Sequence, residues 1–301
     1  LHVHTPESKL NNQFGNDWDL YVKTLFNKAI EHNIAVIGVT DYFTIDGYKT
    51  IVTQYLNDES KLIDLFRNEL QDDTNYISRI KDILLLPNIE FRLDNVISSK
   101  KDGQQPRRLN YHVIFSNRFG NKTVEETIQE IEENFLHNID FTYEANPQDG
   151  FGKRKLKVFN LIELGKKLIN EHPPFGDRSD FEIGCMNAVV QIKQIDNPTL
   201  FKDNYIMVLA EEYTSLIDWD GQDHNLRKTL TSISDMIFST NENTRLWALT
   251  DVFKKEFGSK KPCVCGSDAH SFNELFNHIE DKLCWIKADP TFEGLRQQSL
   301  S

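Results

Sequence analysis

The chain reads as an α/β protein with a parallel sheet, open or closed into a barrel. Three observations predict this. Short apolar runs recur along the chain, helical patterns follow most of them, and no internal repeat or low-complexity linker interrupts the alternation. Leu1–His4 alternates like a strand end. Trp18–His32 carries Leu20, Leu25, Ala29 and Ile30 at helical spacing, with His32 as a helix C-terminal residue favoured by the dipole. Ile34–Val39 (IAVIGV) suits a buried parallel strand. Asp46-Gly47 turns into a helix over Tyr48–Leu56. Ile83–Glu90 (ILLLPNIE) and Tyr111–Ser116 (YHVIFS) are further strands. Thr123–Leu136 is a helix opened by a Thr123/Glu126 capping box. Val158–Ile169 is helical, Tyr205–Ala210 a strand, and Leu226–Phe238 a helix. Cys263–Ser267 and Leu283–Ile286 are the last strands. Two segments stand out as inserts: the highly charged, helical Asn57–Arg79, and Phe141–Asp180 with its basic cluster at Lys153, Arg154, Lys155 and Lys157. We expect one domain over residues 1–301 with these excursions.

Length and composition set limits. The 301 residues can bury a substantial core. With 34 Lys+Arg against 46 Asp+Glu, the formal charge is −12, which argues against holding nucleic acid by bulk positive charge. A local metal site would escape that argument, because the ions bring the charge. No apolar run is long enough to cross a membrane, and the opening LHVHTPESK lacks the basic-then-apolar pattern of a signal peptide, so none is expected. Cys185, Cys263, Cys265 and Cys284 form no disulfide framework, and small core residues in a reducing cytoplasm is their expected reading. The chain opens inside a strand pattern without Met and stops in a helix-like segment, so a longer parent protein is expected.

The chemistry lies in where His and acidic residues fall. His2 and His4, at i and i+2 on a strand, face the same way. Asp41 follows IAVIGVT, Glu90 ends ILLLPNIE, His112 lies in YHVIFS, and Asp268 and His270 follow CVCGS. Each has an ordinary explanation alone: an exposed strand face for His2 and His4, a helix N-cap for Asp41, a surface carboxylate for Glu90, a core histidine for His112. Together they recur at or near strand ends, which converge on one rim in a parallel α/β fold. Imidazoles mixed with carboxylates are donor sets for Zn²⁺, Mn²⁺ or Fe²⁺.

The segments LHVHT, GVTDYFTIDGY, LLPNIEF, NYHVIF and CGSDAHS, in this order, resemble the motifs of the PHP (polymerase and histidinol phosphatase) family. The resemblance runs from the first residues to about residue 295. It implies a distorted seven-stranded (β/α) barrel with two or more divalent ions at one rim (Mn²⁺, Zn²⁺, Fe²⁺ or Mg²⁺) and hydrolysis of phosphoester bonds. It implies that His2, His4, Glu90 and Asp268 hold one ion and that Glu90 bridges to the next. His112 would hold a second, and His270 a further ion or the attacking water. Asp41 matches the acidic residue of the family's Thr-Asp-His motif, so His270 and Asp41 are the expected catalytic pair. The closing segment CWIKADPTFEGLRQ resembles PHP modules fused to SMC-like ATPases, some linked to bacterial defence; this implies a covalently fused ATPase as partner and DNA or RNA as substrate.

The chain departs from the family pattern at three places. Tyr42 stands where the family has His, and tyrosine ligates poorly at neutral pH. The stretch after His4 offers only the distant Asp17 as a further ligand. After YIMVLA comes Glu211 instead of His, so Glu211 is the expected substitute ligand, with His172 as its alternative. A carboxylate-rich site favours Mn²⁺ or Mg²⁺ over Zn²⁺. Three functions follow: a metal-dependent phosphoesterase or nuclease, a small-metabolite phosphomonoesterase, and a non-catalytic, metal-stabilised interaction module.

Overall fold

The computed structural model describes residues 2–97, 107–143, 151–171, 173, 175–196, 201–210, 224–277 and 284–300. Its strands are β1 (Val3–His4), β2 (Val36–Tyr42), β3 (Leu84–Ile97), β4 (Arg107–Phe115), β5 (Asp140–Tyr143), β6 (Arg154–Lys155), β7 (Ala188–Val190), β8 (Tyr205–Leu209), β9 (Met236–Phe238) and β10 (Cys263–Val264). Helices surround this sheet, so the molecule is mixed α/β.

The central series runs β1-β2-β3-β4-β8-β9-β10. β1, β2 and β3 are mutually parallel, with His4 beside Thr40 and Tyr42 beside Glu90. β8, β9 and β10 are parallel to one another. β4 lies between the two groups and is antiparallel to both β3 and β8. The regular ladders stop at β10, but a parallel bridge joins Val3 to Ala269, just beyond that strand. There the His4 N–H donates to Ala269 O (3.1 Å) and the Asp268 N–H to His2 O (3.0 Å). β3 is long enough to serve two sheets: past Glu90 it meets β7 at Leu93–Val190, and β7 continues into β5 and β6.

Side chains alternate along each strand, so each face has its own fate. Ile89, Phe91, Val113, Phe115, Met207, Leu209 and Ile237 enter the larger core, beneath helices such as Trp18–Glu31. The other face gathers Leu86, Ile114, Ile206, Val208, Met236, Phe238 and Val264, closed by Phe292 and Leu295 of the helix Phe292–Leu300. Each such side chain contributes about 1.5–3 kcal/mol on full burial. One rung further along this second face, Asn88 Nδ2 donates to Thr40 Oγ1 (2.7 Å). The next rung carries Glu90 and His112, paired across β3 and β4.

Several sequence expectations are met, among them the Thr123/Glu126 capping box, both of whose hydrogen bonds form. The charged insert is helical over Glu59–Leu65, Glu69–Asp72 and Tyr76–Lys81. Three expectations change. The sheet is not all parallel: no helix lies between β3 and β4 among the described residues, and strands joined without a crossover return antiparallel. The helix expected to reach Phe238 ends at Ile233, and Met236–Phe238 is a strand, because between β8 and β10 this apolar triplet gains both ladders and burial. Cys284–Ile286 is not a strand; Leu283 lies outside the described residues. No described helix is long and apolar enough to cross a membrane.

Candidate metal centre

β1 is only two residues long, yet it is held on both sides. β2 flanks it on one edge and the 268–269 segment on the other. Gly266 makes the second contact feasible: a Cβ there would lie 2.3 Å from His2 Cβ and 2.7 Å from His2 N. With β1 fixed, the two-residue alternation aims His2 and His4 at the same point, and their Nε2 atoms stand 3.0 Å apart. The Tyr21 hydroxyl donates to His4 O (2.7 Å), tying β1 to the helix Trp18–Glu31.

Two carboxylates meet these imidazoles. Glu90 Oε2 lies 3.3 Å from both Nε2 atoms. Asp268 Oδ1 lies 3.2 Å from His2 Nε2 and 3.3 Å from His4 Nε2. The result is two triangles of donors sharing the His2–His4 edge. Donors 2.0–2.1 Å from one tetrahedral ion are roughly 3.3 Å apart, so each triangle has the size of one coordination face. A further trio, His2, Glu90 and His112, also keeps its ligand atoms within 4.8 Å of one another. His270 stacks on His4 with ring centroids 4.0 Å apart, and its Nε2 lies 3.6 Å from Asp268 Oδ1. Its backbone is pinned: the His270 N–H donates to Glu274 Oε2 (2.8 Å), and its carbonyl accepts from Gln13 (3.0 Å).

The electrostatics of this cluster are those of a cation trap. Burial by itself would raise the Glu90 pKa, but His112, His2 and His4 outweigh it and hold the carboxyl well below the usual range. Asp268, though far more exposed, is likewise held low: the hydrogen bonds from His270 and His4 outweigh its partial desolvation. Burial, reinforced by His2, pushes His112 down to about 3, so it is a neutral donor. Burial would also lower His4, but Asp268 and Glu90 reverse that and push it up to about 9, so without metal this ring keeps a proton between two carboxylates. His112 Nδ1 and His270 Nδ1 are buried atoms without a hydrogen-bond partner among the described residues. Buried polar atoms are rarely left so. Two unpartnered ring nitrogens, ionised carboxylates and a neutral imidazole therefore fit a divalent cation. Backbone strain flanks the site: Phe43 (φ 63°) and Asp268 (φ 47°) are in the left-handed region, costly for a bulky residue such as Phe43.

Of the residues expected from sequence, His2, His4, Glu90, His112, Asp268 and His270 come together. Asp41 is buried beside them but engaged elsewhere: Oδ1 accepts from Thr5 Oγ1 (2.6 Å) and Oδ2 from the Gly47 N–H (2.7 Å) in the first turn of the helix Asp46–Ile51. Burial pushes its carboxyl up to about 7. Gly47 has to be glycine, since a Cβ would lie 2.1 Å from Thr5 Oγ1. Tyr42 stacks on His4 at 4.9 Å. Asp17 caps the helix Trp18–Glu31, accepting from the Leu20 N–H (2.9 Å). Glu211 and His172 lie outside the described residues.

Sequence reasoning missed two supporting groups. Asn110 Nδ2 donates to Glu90 Oε1 (2.7 Å), which turns Oε2 toward the histidines. Ser8 Oγ lies 2.6 Å from His4 Nδ1 and fixes that ring, leaving Nε2 for the cluster. Asn110 stands two residues before His112 and so shares its face, a signal present in the sequence. Ser8 left none, because its position depends on the turn after β1.

No protein-family model matches this chain, and no curated protein does. Among solved structures the chain is similar to a "putative metal-dependent phosphoesterase" from Bifidobacterium adolescentis, with 12% identity, 94% of this chain and 90% of that chain covered, and a TM-score of 0.39.

Proposed function

We propose that this chain is a metal-dependent phosphoesterase on a distorted seven-stranded (β/α) barrel, its ring completed at the Val3–Ala269 bridge. One observation carries the reading: imidazoles and carboxylates from β1, β3 and the 268–270 segment converge within 3.0–3.6 Å, and His112 of β4 joins His2 and Glu90 with ligand atoms within 4.8 Å of one another. His2, His4, Glu90, His112 and Asp268 would hold two or more divalent ions (Mn²⁺, Mg²⁺, Zn²⁺ or Fe²⁺), with His270 beside them. When bound, such ions polarise a phosphoryl oxygen and activate water for in-line attack.

The protein's own residues prepare the reaction. Asn110 orients Glu90, and Ser8 orients His4. Asp268 is the exposed member, 64% accessible at its side chain, so substrate approaches from its side. His270, next to it, exchanges a proton with the leaving oxygen. Asp41 acts as a positioning residue, joining Thr5 to the helix at Gly47.

The nuclease form of this reading, working in the cytoplasm with a fused ATPase, and the small-metabolite form differ only in substrate. The purified chain is assayed in Mn²⁺ on para-nitrophenyl phosphate and on a single-stranded oligonucleotide, alongside metal analysis. Hydrolysis of the oligonucleotide supports the nuclease, and of the monoester alone the phosphomonoesterase. Bound metal with neither hydrolysis supports the interaction module and overturns the phosphoesterase.

A further inference from the structure

One helix reaches both halves of the metal cluster. Tyr21 and Lys28 lie about two turns apart on the helix Trp18–Glu31 and so share a face. The Tyr21 hydroxyl holds β1 at His4 O (2.7 Å). The Lys28 ammonium holds the segment that carries Asp268 and His270: its Nζ donates to Phe272 O (2.6 Å) and to Leu275 O (3.4 Å). Lys28 makes no ion pair among the described residues, so its charge faces these carbonyls rather than a carboxylate. Phe14 packs edge-on against both Tyr21 and Phe272, with ring centroids 4.9 and 5.3 Å away, and fills the space between helix and segment.

The held segment is strained at both ends. Asp268 (φ 47°) and Phe276 (φ 52°) are in the left-handed region, which such residues keep only where their surroundings impose it. Between them the chain forms turns, with the Glu274 N–H donating to Ser271 O (3.1 Å) and the Asn277 N–H to Glu274 O (3.0 Å). Ala269 and Leu275 are fully buried, but the Asp268 side chain is mostly exposed and has little packing of its own to fix it. The two donor trios differ in the same way. His2, Glu90 and His112 all stand on or beside strands of the sheet, whereas the trio of His2, His4 and Asp268 is completed by this segment.

We propose that Lys28 is a positioning residue of the metal centre, holding the 268–276 segment so that Asp268 and His270 stay beside His2 and His4. The inference rests on the metal-centre reading and adds a residue to it. One ammonium on two carbonyls of the same turn fixes both the distance of the segment from the helix and its tilt. Hydrogen bonds from a charged donor are about twice as strong as neutral ones, which suits a tie that works against backbone strain. The centre is therefore unequal: an ion that needs Asp268 depends on Lys28, and one held by Glu90 and His112 does not.

The test measures Mn²⁺ affinity of the whole chain by competition with a chromogenic chelator. Lys28→Met keeps the stem and removes the ammonium; it should weaken Mn²⁺ binding about 10–100-fold, and Lys28→Arg should restore most of the loss. In an Asp268→Asn background Lys28→Met should add no further loss, whereas a general weakening of the fold would add its full effect. In chelated protein, Lys28→Met should quicken amide hydrogen exchange over residues 268–276 and leave β3 unchanged. Lys28→Gln, a shorter neutral donor, should fall between wild type and Lys28→Met, and it decides the question if Lys28→Met does not fold. Unchanged affinity in the folded variant, or a full further loss in the Asp268→Asn background, would overturn the inference and leave the metal centre standing. A wild-type chain that binds no Mn²⁺ would overturn both. Hydrolysis is not read, so the outcome is separate from the phosphoesterase reading.

Discussion

Leu86 and Glu90 project from the same face of β3, and Ile114 and His112 from the same face of β4. All four are equally dry: Leu86 and Ile114 are 0% exposed, Glu90 3% and His112 1%. Yet the first pair lies among Val208, Met236 and Val264, and the second among imidazoles and a carboxylate. Burying the first pair is favourable without further help. Burying the second costs several kcal/mol per ion unless a partner of opposite charge accompanies it. Two steps along one strand thus change a floor that stabilises the fold into a cluster stable only with a cation, whether the proton on His4 or a metal. The apolar end makes the sheet rigid enough to hold the charged end where it would not assemble alone.

That contrast is open to direct attack. The largest effect is expected at the charged end. Glu90→Gln keeps shape and removes charge, and should lower metal content and cut kcat/KM about a thousandfold, with the circular dichroism spectrum unchanged. Retained activity would remove Glu90 from the site. At the apolar end, Ile114→Ala should destabilise the fold by about 2–5 kcal/mol in urea titration while the folded fraction binds metal as before. Lost metal affinity there would mean that the two ends are not separable.

Acidity separates the ends further. The His4 pKa rises from an unfolded value near 6.5 to about 9 in the fold. Its contribution in chelated protein is therefore fully present below pH 6.5 and is lost as pH rises through 9, on the order of 3 kcal/mol. Metal-loaded protein should lack this decline, because the ion replaces the proton. Urea midpoints measured from pH 6 to 10, with and without chelator, check it; parallel curves would show that no ion takes the proton's place. The smallest effect is expected from Asn110→Ala, which frees Glu90 to rotate and should weaken metal binding 10–100-fold, read by competition with a chromogenic chelator.

Much of the site was legible because its signals are local. The His2/His4 pair needs only the two-residue alternation of a strand, and Glu90 and His112 sit in apolar runs long enough to identify β3 and β4. Asp268 and His270 were legible as residues beyond a short strand. Their meeting with β1 was not, since it depends on a bridge between positions 3 and 269 and on the empty Cβ position of Gly266. The β7-β5-β6 branch escaped notice for a similar reason: Ala188–Val190 is too short to show a period and becomes a strand by pairing with Tyr143 and Leu93. Asp41 was legible as an acidic residue after an apolar run, but that its oxygens accept from Thr5 and Gly47 was not, since both partners reach it only in the folded chain.

By itself the sequence determined the α/β alternation, the apolar strands, the capping box at Thr123 and the face each histidine presents. These follow from spacing within a few residues, where backbone geometry leaves little choice. Only the tertiary structure decided that β4 runs antiparallel, that Met236–Phe238 is a strand and that Asn110 turns Glu90 inward. Each of these is a contact between distant positions, and its free energy exists only once the sheet has brought the partners together.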